Sequence, residues 1–264
     1  MNVVSIVNQK GGVAKTTTTA NLGACLAYRG LRTLLIDMDP QANLTLGLGA
    51  DANIMHHSLS EIFLTPEKVA LAAVVQRVGD KSLYLAPGRL DMARAEEYLT
   101  NRPDSAYVLR DAIRTLAERH ALDWVLIDCP PSLGTLTQNA IVASNYLLVP
   151  TEPSMYAFAG IDTLNKMIQS LAKEHQFKVE LLGVLLTLYQ RGTRLHRTIS
   201  GVIRERFGDK VFDTEIYRNM RVSEAEVEGK PVSTFDPRTS GAKNYADLAD
   251  EVIRRTSSAD GSSD

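Results

Sequence analysis

Apolar residues in this chain fall into short, nearly unbroken runs, separated by longer stretches where apolar and polar positions recur at helical spacing. The runs VVSIV (3–7), TLLIDM (33–38), LYLA (83–86), WVLID (124–128), YLLVP (146–150) and LLGVLLT (181–187) predict strands, with KVF (210–212) as a shorter one. Helical patterns run from about Thr16 to Tyr28, with Gly30 as the C-terminal cap, and over about 107–119, 155–174, 194–206 and 241–255. Strands without polar alternation are covered on both faces, and strands that alternate with helices form parallel sheets. The expectation is an α/β fold, a doubly wound, mostly parallel sheet flanked by helices. The chain shows no repeat, linker or composition break, so one domain is expected over 1–256, with the small, polar, acidic 257–264 as a disordered tail. The pattern is weakest from about 50 to 110.

The first strand and first helix are joined by QKGGVAKT, residues 9–16. Strand, glycine turn and helix together are the context in which a phosphate-binding loop is credible, because backbone N–H groups and the helix N-terminus then converge on an anion. Lys10, Gly11, Gly12, Val13, Ala14, Lys15, Thr16 and Thr17 are the candidate nucleotide contacts. Lys15 is placed to reach the terminal phosphates and Thr16 to hold Mg²⁺ through its hydroxyl. The general pattern asks for glycine six residues before this lysine and again just before it; Gln9 and Ala14 stand there instead. The competing reading is a glycine turn with two solvent-facing lysines. Against it, Asp128 closes one apolar strand, and Asp37 and Asp39 close another before a proline turn. Ligands of open α/β sheets bind beyond the carboxyl ends of the strands, where all of these residues gather. Lys10 and Lys15, which repel each other, also call for something strongly negative between them.

The net charge of −2 excludes a polycation, so any nucleic-acid contact needs a local patch. Residues 188–221 supply one, with eight Lys/Arg against four acidic residues. Arg191, Arg194 and Arg197 are spaced three apart at the start of a predicted helix, and Arg218 and Arg221 repeat the spacing. A solvated charged face is the plain alternative. Cys25 and Cys129 lie in apolar contexts and read as buried free thiols in a reducing cytoplasm. No apolar run approaches the roughly 18 residues of a membrane span, and no signal peptide is read at the N-terminus.

KGGVAKTTTTANLGACLAYRG, LLIDMDPQAN and LIDCPPSLG, in that order, resemble the ParA/Soj branch of the deviant-Walker ATPases, and the likeness continues through RNMRVSEA and FDPRTSGAKNY. The resemblance implies a P-loop ATPase using ATP and Mg²⁺. In it, Lys10 reaches across a dimer interface to the phosphates of the other subunit, and Lys15 serves its own nucleotide. Asp39 orients the attacking water, and Asp37 and Asp128 support the metal and its waters. It also implies a nucleotide-dependent homodimer that binds double-stranded DNA nonspecifically, in the cytoplasm on the nucleoid, and is released when a ParB-type partner stimulates hydrolysis. Ala14 departs from the family, where glycine is usual, and slow hydrolysis is the expectation. Three other readings compete. A MinD-like membrane switch needs a basic amphipathic C-terminal helix, whereas NYADLADEVIRR carries Asp247, Asp250 and Glu251. A metabolic enzyme on this scaffold needs a substrate pocket that the sequence does not reveal. A ParA-like protein that positions a protein cargo is not separated by sequence. The phosphate loop begins within ten residues of Met1, so no DNA-reading N-terminal extension is expected, as in short chromosomal members.

Overall fold

In a computed structural model, which describes residues 1–54, 56–79, 82–100, 102–154, 157–175 and 177–260, seven strands form one sheet among those residues. The strands are β1 (Asn2–Ile6), β2 (Thr33–Asp37), β3 (Gln76–Arg77), β4 (Leu83–Ala86), β5 (Trp124–Asp128), β6 (Tyr146–Thr151) and β7 (Glu180–Leu186). Their order is β3-β4-β2-β5-β1-β6-β7, and every pairing is parallel except β3 with β4. The chain therefore winds outward in both directions from β1, which places the loop after β1 at the switch point of the sheet.

Side chains of a strand alternate between faces, and both faces here are packed. Val3, Leu34, Ile36, Val125, Ile127, Leu147 and Val149 point into one core; Val4, Ile6, Leu35, Leu126 and Leu148 point into the other. The first core is closed by α3 (Glu61–Leu64), α4 (Met92–Thr100), α5 (Val108–Arg119), α6 (Thr135–Ala143), α7 (Ala157–His175) and α8 (Arg194–Phe207). The second is closed by α1 (Lys15–Tyr28), α2 (Asn43–Gly47), α9 (Met220–Val227), α10 (Val232–Phe235) and α11 (Ser240–Asp260).

The expected strands are present within a residue at each end, apart from KVF, which makes a single bridge from Val211 to Val184. Residues 208–210 form a 3₁₀ turn and leave no room for a strand. Of the helix expected over 155–174, residues 155 and 156 lie outside the described residues. The last helix continues through Asp260, past the expected start of the tail, because Val252 and Thr256 remain buried against the second core; residues 261–264 lie outside the described residues.

Candidate nucleotide-hydrolysis site

The loop between β1 and α1 is held from three sides. Asn8 donates from Nδ2 to the Pro150 carbonyl at 2.7 Å and accepts the Lys10 amide at 2.9 Å. Thr187 donates its hydroxyl to the Val13 carbonyl at 3.0 Å. Ala14, directly before α1, has φ 63 and ψ 37, the left-handed region that glycine favours. The strain expected of an alanine there is thus present in the fold, at about 1 kcal/mol. Lys15 opens α1 at 7% exposure and donates from Nζ to the Lys10 carbonyl at 3.2 Å, curled over the loop as a phosphate ligand would require. Burial pulls its ammonium below the usual lysine range, opposed by the charge of Asp128 and, less, Asp39.

Two carboxylates lie behind this loop. Parallel pairing sets Asp128 beside Ile6 on one side and Asp37 on the other. Asp128 accepts the Thr16 hydroxyl at 2.8 Å and the Thr19 hydroxyl at 3.3 Å. Asp37 accepts the amide and hydroxyl of Thr45 on one oxygen, at 2.9 and 2.7 Å, and the Asp39 amide on the other at 3.2 Å. Burial pushes Asp37 up to about 6. Burial, followed by the nearby Asp37 charge, raises Asp128 well above the carboxylate range. Two buried acids in register, faced by one partly desolvated lysine, are short of positive charge. The donors are all hard oxygens, the set that suits Mg²⁺, and Thr16 is the donor facing the open cleft. Among the described residues no cluster of three or more His, Cys, Asp or Glu forms a metal cage.

The cleft itself measures about 760 Å³ and is lined by the loop glycines, Lys15, Thr16, Thr17 and Asp39. Asp39 is 8% exposed, with one oxygen fixed by the Gln41 amide at 2.9 Å. Asp37 and Asp128 do not line the cleft; they stand behind Asp39 and Thr16, hydrogen-bonded to them. Lys10 also lies outside it. Its Nζ donates to Glu152 at 2.9 Å and to Ser154 Oγ at 3.4 Å, on the β6 side of the loop.

Residues 1–181 match the AAA domain family AAA_31. The chain is 38% identical to the sporulation initiation inhibitor protein Soj of Bacillus subtilis, over 95% of this chain and 97% of that one. It is 40% identical to the chromosome partitioning protein ParA of Caulobacter vibrioides, over 97% and 95%. The chain belongs to the ParA/Soj family of P-loop ATPases. Its fold is shared with cobyrinic acid a,c-diamide synthase of Mycobacterium smegmatis, a structure with bound ADP and magnesium, at a TM-score of 0.83 and 33% identity, covering 98% and 96% of the two chains. As a ParA/Soj protein it is an ATPase that uses ATP and Mg²⁺.

Two acidic residues of this ParA/Soj site escaped the sequence reading. Glu152 follows β6 directly, so the strand-end rule that exposed Asp37 and Asp128 would have found it. Glu226 lines the cleft from α9 and accepts the Thr17 hydroxyl; its helix carried no signal that placed it near the loop.

The arginines divide into groups. Arg191 precedes α8 instead of sharing its face, because Gly192 (φ 89) breaks the chain before the Thr193 cap. Its guanidinium stacks 4.1 Å above the Tyr217 ring. A bridge between Tyr189 and Tyr217 brings its segment beside Arg218. Arg194 and Arg197 lie exposed on the first turn of α8, and among the described residues no carboxylate pairs with them. Arg218 precedes the Asn219 cap of α9 and faces Glu152 at 3.8 Å. Arg221 is bound by Glu224 at 2.6 Å and Asp236 at 3.1 Å, so its charge is largely spent within the protein. Among the described residues no helix is long and apolar enough to cross a membrane.

Proposed function

We propose that this protein is a DNA-partitioning ATPase. ATP pairs two copies face to face, the pair binds double-stranded DNA without reading sequence, and hydrolysis stimulated by a ParB-type partner releases it. The observation that carries this reading is the separation of the two lysines: Lys15 is folded over its own loop while Lys10 lies outside its own cleft. A lysine turned away from its own cleft can serve a second copy once its ion pair opens. A triphosphate then supplies the charge that lets the ammonium groups approach, and ATP selects the pair by its differential affinity. Mg²⁺, when bound, neutralises charge on the phosphoryl group. Thr16 and the carboxylates behind it hold that ion's position, Lys15 clamps the phosphate oxygens, and Asp39 aligns water at the cleft wall.

DNA contact is assigned to Arg191, Arg194, Arg197 and Arg218, with Arg221 in a supporting place. The names of its relatives, a chromosome partitioning protein among them, support a chromosomal role, and nonspecific DNA binding would hold the protein on the nucleoid. The test is DNA retention and sedimentation with ATP, with ADP and without nucleotide, using an Asp39→Ala protein to block turnover. Pairing and DNA retention in ATP alone, both lost in Lys10→Ala, are the expected results. A monomer in saturating ATP and magnesium would remove the reading.

A further inference from the structure

We propose that Glu152 is a positioning residue that latches Lys10 in the single protein and so sets how much ATP is needed to pair two copies. The proposal rests on the ATP-paired reading given above. Glu152 leaves the end of β6 beside the loop, with a side chain 25% exposed. One carboxylate oxygen accepts Lys10 Nζ at 2.9 Å, and the same ammonium donates to Ser154 Oγ at 3.4 Å. The backbone of Lys10 is meanwhile fixed through Asn8. Lys10 is therefore held by three contacts on the β6 side of the loop and does not line its own cleft. To act on a second copy its side chain must leave this carboxylate.

The second oxygen of Glu152 faces Arg218 at 3.8 Å. When Lys10 departs, Arg218 remains to balance the carboxylate, so opening the latch strands no lone charge in a half-buried place. The carboxylate and the triphosphate compete for one ammonium, and a competing contact present in one state alone shifts the population of that state. A partly exposed ion pair is worth about three-fold in such an equilibrium. Two latches open per pair, so removing both raises the association constant about ten-fold.

The experiment is sedimentation equilibrium of the Asp39→Ala protein across a range of ATP concentrations with magnesium, comparing Glu152 with Glu152→Gln and Glu152→Asp. Glu152→Gln keeps the shape and removes the charge. It is expected to pair at several-fold lower ATP with an unchanged melting temperature. Glu152→Asp, still charged, is expected to fall close to the parent. In a Lys10→Ala background, where pairing is lost, Glu152→Gln is expected to restore none, because the group it releases is gone. Pairing of Glu152→Gln at the same or higher ATP would overturn the latch, as would pairing restored by Glu152→Gln in the Lys10→Ala background. If the Asp39→Ala protein with Glu152 intact stays monomeric, the paired reading fails and takes the latch with it. Pairing with no shift refutes the latch alone.

Discussion

A methyl group at position 14 carries more consequence than its size suggests. Ala14 holds a left-handed conformation at the point where the loop becomes α1. Ala14→Gly removes about 1 kcal/mol of strain, partly offset by the freedom glycine gains in the unfolded chain. The expected outcome is a small gain in denaturant midpoint together with a changed rate of ATP turnover; identical midpoint and turnover would show that the site tolerates alanine without cost. The candidate residues of the site were legible as a group because each occupies a place defined by the chain itself: the glycine turn, the residue after it, the end of an apolar strand. Lys15, Thr16, Asp37, Asp39 and Asp128 all sit at such places, and the structure gathers them. What sequence did not reveal was the division of labour. Asp37 and Asp128 lie behind the cleft wall, and Arg221 is occupied by Glu224 on its own helix and by Asp236. Apart from the Arg221–Glu224 pair, these facts depend on side chains brought together from more distant segments.

Between neighbouring elements one close tolerance lies around Asp37. Gly88, just after β4, approaches so nearly that an added Cβ would stand 2.8 Å from the Asp37 carboxyl carbon and 2.9 Å from its carbonyl oxygen. The Gly88 amide also donates to Thr45, which holds Asp37 in turn. Gly88→Ala is therefore expected to cost about 1–3 kcal/mol in unfolding and to weaken Mg²⁺-dependent ATP binding, measured by urea melts and by nucleotide titration. The long elements were readable because their periodicity extends over many residues. The short ones were not. β3 has two residues and α2 five, and their positions are fixed by tertiary contacts instead of local preference. Even α6, nine residues long, was hidden, since it is buried almost all round and shows no polar face.

At the scale of the whole molecule, a buried acid helps tie the C-terminal helix to the segment beside β7. Glu251, 2% exposed on α11, accepts the amides of Asp213 and Thr214 at 2.9 Å and is bound by Arg255 at 2.8 Å. Burial alone would raise its carboxyl; the hydrogen bonds from Thr214, Asp213 and Arg255 outweigh this and hold it below the usual glutamate range. A depressed folded value stabilises above the unfolded one and loses that contribution as pH falls through the folded value. Glu251→Gln is therefore expected to lose about 2 kcal/mol at pH 7, and the gap to the parent to close as unfolding is measured at progressively lower pH below about 4. Charge at this scale also bears on the proposed DNA contact. If a molecule of net charge −2 binds DNA through a local patch, its affinity should fall steeply with salt. Replacing Arg194 and Arg197 with alanine is expected to weaken binding alike on unrelated sequences and to lower the salt slope by about two; a loss confined to one sequence would exclude backbone contact.

The edge of the sheet has one more effect. β3 offers a newcomer two residues, set antiparallel to the strand beside it, and one of them is the charged Arg77. Growth of ordered fibres by strand addition needs a long, straight, open border, and this one is short and turned against the grain. At this border, backbone-to-backbone accretion of further copies is therefore closed off.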